Sequence, residues 1–110
     1  MSAQMQIDQI KLYLCDQFQL SQEQVGEMLP NFIITLATHM QNMERVLAED
    51  DPMALGKVGH TMKGALLNLG LHDCAQLALR IEEKGKDGDR CTDYAGLVAD
   101  LRNKINPLFS

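Results

Sequence analysis

Asp51-Pro52-Met53-Ala54-Leu55-Gly56-Lys57-Val58-Gly59-His60-Thr61-Met62-Lys63-Gly64-Ala65-Leu66-Leu67-Asn68-Leu69-Gly70 holds a start signal, a periodic middle and a stop. Asp51 has a side chain suited to accept from the first free amides of a helix. Pro52 suits the first helical position, where its missing N–H costs nothing. Leu55, Val58, Met62, Leu66 and Leu69 then recur at helical spacing, and Gly70 fits a left-handed terminating residue with Leu71 packing back. The stretch predicts one amphipathic helix, with a single apolar face to bury.

The segments on either side repeat the pattern, and none alternates as a strand does. Ile7, Ile10, Leu14 and Phe18 predict a first helix over about residues 3–19. Ser21 followed by Gln24 reads as a capping box opening a second. Its stripe is Leu29, Phe32, Ile33, Leu36, Met40, Met43 and Leu47, interrupted by Pro30, which is expected to kink the helix or mark its true start. A fourth helix from about His72 turns Cys74, Leu77, Ala78 and Ile81 inward. Gly85-Lys86-Asp87-Gly88-Asp89 reads as a polar loop. The last helix carries Tyr94, Leu97, Val98, Leu101, Ile105 and Leu108, with Pro107 near its end. The fold class is therefore all-α: an antiparallel up-down four-helix bundle over residues 21–108, with an additional short N-terminal helix over residues 1–20.

The 110 residues make one domain with a modest core, since no linker, repeat or low-complexity tract divides them. A net charge of −5 without a basic cluster argues against nucleic acid and against an anionic membrane surface. No apolar run is long enough to span a bilayer, and the N-terminus lacks a signal-peptide layout. Cys15, Cys74 and Cys91 are odd in number and far apart, which suggests neither a disulfide framework nor a zinc site and fits a reducing cytoplasm. The starting Met and compact ending favour a free-standing protein.

One side chain in the opening stretch does not belong to the core. The stripe centres near Met62 and Leu66, and His60 lies roughly 160° from that centre. Lys63, Gly64, Gly56 and Leu67 share the outer side. Each glycine costs about 1 kcal/mol of helix propensity relative to alanine, so two of them, one turn before and one turn after a histidine, need a reason. Without side chains they leave the ring open to another protein. Leu67 is apolar where a solvated face prefers a polar residue, and Lys63 stands within i+3 reach of His60, placed to neutralise an anion on the ring. His39 and His72 have no such company. On the second helix Ile34, Thr38 and Gln41 project away from the stripe, and Ile34 with Leu67 is expected to form the apolar part of a docking patch.

His60-Thr61-Met62-Lys63-Gly64, followed by Leu69-Gly70 and then Ile81-Glu82, resembles the histidine phosphotransfer domains of multistep two-component relays. The resemblance covers about residues 20–108 and implies a cytoplasmic, monomeric phosphorelay intermediate. It implies that His60 is the phosphoacceptor, that Lys63 stabilises the phosphoryl oxygens, and that Gly64 gives access to the ring. Glu82 falls where such domains carry a Gln or Glu that hydrogen-bonds the imidazole. On its own helix it lies at the edge of the stripe, roughly 100° from centre, from where it could reach across. A carboxylate accepting from Nδ1–H would leave Nε2 as the nucleophile. The implied partners are response-regulator receiver domains and a hybrid histidine kinase. No cofactor of the chain's own is implied, and the receiver supplies Mg²⁺. One departure is Ala65, directly after Lys63-Gly64, where many such domains carry a small polar residue.

Other readings are open. A histidine-kinase dimerisation domain has an acidic residue directly after the histidine and a proline soon after, whereas Thr61 follows here and no proline is near. A helical interaction module that has lost its chemistry, or an excised phosphotransfer domain of a chemotaxis-type kinase, fits the same residues. An autonomous kinase does not fit, since no glycine-rich phosphate loop or acidic magnesium constellation is present.

Overall fold

The computed structural model describes residues 3–109, and among them there are five α-helices, one short 3₁₀ turn and no strand. The helices are α1 (Ala3–Phe18), α2 (Gln22–Leu47), α3 (Pro52–Asn68), α4 (His72–Lys86) and α5 (Tyr94–Ile105), and the 3₁₀ turn follows at Asn106–Phe109. Neighbours in sequence pack together around a ring, α2 on α3, α3 on α4, α4 on α5, and α5 back on α2. Short connections between consecutive helices give the up-down bundle expected of the sequence. α1 lies outside the ring, against α2 and the 3₁₀ turn.

The boundaries follow local chemistry. Ser21 Oγ accepts from the Gln24 amide at 3.1 Å while Gln24 Oε1 accepts from the Ser21 amide at 2.9 Å, the reciprocal capping box. Asp51 Oδ1 accepts from the Ala54 amide at 3.2 Å, with Pro52 opening α3. Gly70, at φ 74°, ends α3, and the amides of Gly70 and Leu71 return to the carbonyls of Leu67 and Leu66. α4 ends in the same way: Gly88 is at φ 69°, and the Gly88 and Asp89 amides bond the carbonyls of Gly85 and Lys84.

The core is the sum of the stripes. Leu36, Met40 and Met43 of α2 meet Met62 and Leu66 of α3, Ala78 and Ile81 of α4, and Leu101 and Ile105 of α5, all fully buried. Pro30 neither begins nor ends α2. It sits on the exposed side, so the Gly26 carbonyl that loses its intrahelical partner also faces solvent.

Two expectations are corrected. Phe18 is 53% exposed and does not extend the α1 stripe, because α1 stops at that residue and the chain turns at Gln19, whose φ is 56°. Gly85 and Lys86 are not loop: α4 continues through both, and Gly85 is buried. A Cβ on Gly85 would lie 2.4 Å from the Pro52 carbonyl oxygen and 2.7 Å from the Gly56 Cα. The residue is glycine because α3 touches its backbone. Gly59 makes the matching approach one turn further along, where a Cβ would lie 3.0 Å from the Glu82 amide nitrogen and 3.1 Å from the Ala78 carbonyl oxygen. Gly56, Gly59 and Gly85 thus form a seam along which α3 and α4 meet main chain to main chain.

Candidate functional site

The seam positions the site. With α4 drawn close against α3, Glu82 reaches across to the outer side of the histidine helix. Glu82 Oε2 lies 2.6 Å from His60 Nδ1, and Oε1 lies 2.7 Å from Lys63 Nζ. The three expected residues are therefore brought together, with one carboxylate spanning both partners. Oε1 is buried and makes no aligned hydrogen bond, so its contact with the Lys63 ammonium is an ion pair. Lys63 and, less strongly, His60 hold the Glu82 carboxyl below its usual range, against the opposing effect of desolvation.

Exposure is graded across the cluster. The His60 side chain is 68% accessible, while those of Lys63 and Glu82 are 24% and 19% accessible. The ring stands out and its supports are set back. A carboxylate on Nδ1 accepts when that nitrogen carries the proton, and the lone pair is then on Nε2, the ring nitrogen outside the contact with Glu82. The arrangement is that of an oriented nucleophile with a cation one turn away.

Grooves run on both sides of His60. Toward α2, a cavity of about 440 Å³ is lined by Phe32, Thr35, His39, Thr61, Gly64 and Ala65, among others, with the ring. Toward α4, one of about 550 Å³ is lined by Met53, Gly56, Lys57, Thr61, Glu82 and Lys86 with the ring. Gly64 borders the first, and a Cβ there would meet nothing within 4 Å, so the space beside the ring is open. Gly56 does not leave such a space. It is buried, and its absent side chain admits the backbone of Lys86, Gly85 and Glu82, which corrects the expectation that it gives access to the ring.

The residues expected to dock a partner are exposed, Ile34 by 64% and Leu67 by 41%, with Thr38 and Gln41 also at the surface. Facing His60 across the groove, however, α2 presents Phe32, Thr35 and His39. Those three, together with Met53, Lys57 and Lys86 on the α4 side, are absent from the sequence-based set. Lys86 was hidden by the reading of Gly85 as loop. His39 and Thr35 were legible as flankers of the α2 stripe, but not as neighbours of α3. Among the described residues, no group of three or more His, Cys, Asp or Glu is placed to hold a metal ion.

Residues 27–106 match the Hpt domain family, well over half of the chain, and the chain belongs to that family. It is a phosphotransfer domain of phosphorelays, a helical bundle of the kind that interacts with receiver domains. Neither the curated proteins nor the solved structures give a significant match. No helix among the described residues is long and apolar enough to cross a membrane.

Proposed function

We propose that His60 takes a phosphoryl group from the aspartyl phosphate of one receiver domain and hands it to an aspartate of a second. The observation that carries this reading is the double contact of Glu82, 2.6 Å from His60 Nδ1 and 2.7 Å from Lys63 Nζ, beneath a ring that stands exposed. With the proton on Nδ1, the Nε2 lone pair attacks phosphorus. The bond from phosphorus to the aspartyl oxygen breaks, the carboxylate leaves with the electron pair, and the Nε2–P bond forms. The ring gains positive charge, which Glu82 offsets through Nδ1–H, and Lys63 pairs with the phosphoryl oxygens. Transfer onward runs the same steps in reverse with a second receiver.

Phosphoryl transfer asks mainly for positioning and charge neutralisation, and this chain supplies only part of each. The receiver contributes the aspartate, the Mg²⁺ and the remaining charges, and the first receiver belongs to a hybrid histidine kinase. Receivers seat over His60 along both grooves, with Lys57 and Lys86 facing an acidic site. Leu67 extends the surface along α3, and Ile34, Thr38 and Gln41 form its margin on α2. The chain acts as a monomer in the cytoplasm, and its three unpaired cysteines support that compartment.

The test is incubation with a phosphorylated receiver domain and Mg²⁺. The expected result is an acid-labile, base-stable label that is absent from His60→Gln. A label that persists in the variant refutes the assignment. A wild-type chain that binds the receiver and never takes label favours a helical interaction module instead.

A further inference from the structure

A phosphoryl group on His60 Nε2 would be served from one side only by the residues named so far. Glu82 meets Nδ1 from α4, and Lys63 Nζ is 2.7 Å from the same carboxylate, so the charges that support the ring gather toward α4. Nδ1 and Nε2 lie on different edges of an imidazole. With Nδ1 turned to α4, Nε2 is directed away from it, and a group bonded there stands beside the other groove, the cavity of about 440 Å³ toward α2. Gly64 keeps that space clear, since a Cβ there would meet no atom within 4 Å.

The α2 wall of this groove carries unused donors. Among the described residues that line it, only His60 and His39 have ionisable side chains. His39 is half-buried, and its ring has no hydrogen-bond or ion-pair partner among the described residues. A neutral imidazole carries one N–H and a protonated one carries two, so the ring can donate in either form. One turn earlier on the same face of α2 stands Thr35. Its hydroxyl is likewise without a partner, whereas the hydroxyls of Thr38 and Thr61 turn back to the carbonyls of Ile34 and Lys57 at 3.0 and 3.4 Å. Asn68 also lines the groove, but it stands two turns beyond His60 along α3.

On the phosphotransfer reading of His60, we infer that His39 and Thr35 are phosphoryl-binding residues. The His39 ring N–H and the Thr35 hydroxyl donate to the phosphoryl oxygens that face α2 once the group is on Nε2. The three oxygens are then shared between two helices, with Lys63 serving one side and α2 the other. Hydrogen bonds to a charged acceptor are the strong ones, and these two form only when the phosphoryl group is present. They therefore stabilise the phosphohistidine relative to the unmodified chain. Their effect is on the balance of the relay: the chain holds its phosphoryl group against return to the receiver.

The experiment is equilibration of the full chain with a phosphorylated receiver domain and Mg²⁺, reading how the label divides between the two proteins. His39→Leu should move the division toward the receiver by about tenfold, the worth of one hydrogen bond to a charged group. His39→Gln keeps an N–H donor and should recover most of that loss, which a merely space-filling role would not predict. Thr35→Val, at an exposed position, should move the division in the same direction and carries the test should His39→Leu fail to fold. Imidazole NMR should show the His39 ring signals displaced on phosphorylation of the wild type and unmoved in His60→Gln under the same treatment. An unchanged division in both His39→Leu and Thr35→Val, a glutamine variant as poor as the leucine one, or His39 signals that ignore phosphorylation overturns the inference. Each of those outcomes leaves His60 labelled and its own role intact. A wild-type chain that takes no label fails the reading of His60 first, and the role of His39 and Thr35 falls with it.

Discussion

Replacing Gly56 with alanine separates two explanations of why a glycine precedes the histidine. A Cβ at this position would lie 2.9 Å from the Lys86 amide nitrogen, 3.0 Å from the Gly85 carbonyl carbon and 3.1 Å from the Glu82 carbonyl oxygen. All three are main-chain atoms, so no rotamer change relieves them. Ordinary contact begins at 3.4 Å, and the shortfall requires α3 and α4 to part by about 0.5 Å. Overpacking of this kind costs about 1–3 kcal/mol, and alanine returns up to about 1 kcal/mol of helix propensity. The net expectation is a loss of about 1–2 kcal/mol, or a fall in Tm of about 4–15 °C for a domain near this size. Because Glu82 rides on α4, the same displacement stretches its 2.6 Å contact with His60 beyond the range of a strong charge-assisted bond. The assay is thermal and urea unfolding by circular dichroism, with the transfer rate measured on the same sample. A variant with unchanged or higher Tm whose transfer is nonetheless slowed would refute the packing argument and return Gly56 to a role in access.

Gly64→Ala should behave in the opposite sense. No atom lies within 4 Å of a Cβ there, so unfolding should shift to higher urea by up to about 1 kcal/mol, while transfer slows because a methyl now stands beside the ring. Equal or faster transfer would reject the access role. Lys63→Ala should slow transfer or shorten phosphohistidine life by about tenfold or more while helicity holds, since it removes a charged contact from a half-buried position. Unchanged kinetics would dismiss the lysine. Glu82→Gln tests the electrostatics by pH. The folded-state value of the Glu82 carboxyl lies below its ordinary 4.5, so its contribution is complete above that value and is lost as pH falls through the lowered one. The stability gap between wild type and Glu82→Gln should therefore be constant near neutrality and shrink on acidification below about pH 4.5. Urea midpoints that show the gap widening in acid would contradict the assignment.

The elements that sequence made legible are those set by local chemistry. The Ser21–Gln24 box, the Asp51–Pro52 start and the Gly70 stop depend on residues within a turn of one another, and each appears where expected. The pairing of Glu82 with His60 rests on the resemblance to histidine phosphotransfer domains; the helical wheel places Glu82 only at the edge of its own stripe, and the 2.6 Å contact depends on how closely α4 packs on α3. Gly85 was not legible, since a glycine in a polar run reads as a loop by every local rule. Only the approach of Pro52 and Gly56 from another helix explains it. The choice of Ile34, Thr38 and Gln41 over Thr35 and His39 had the same origin. Periodicity tells which side of α2 is buried, but which flank turns toward α3 depends on how the bundle winds, and no single stripe carries that information. The exposure of Phe18 likewise reflects where α1 stops, not its spacing.

The glycine seam also decides how the site behaves mechanically. Interfaces filled by leucine or methionine have slack, since their side chains hop between rotamers and let helices slide. Between α3 and α4 the spacing at Gly56, Gly59 and Gly85 is set by backbone atoms in direct contact, and nothing there can be repacked. His60 is anchored to one side of that joint and Glu82 to the other, so their separation is held as rigidly as the joint itself. The histidine is presented on an anvil.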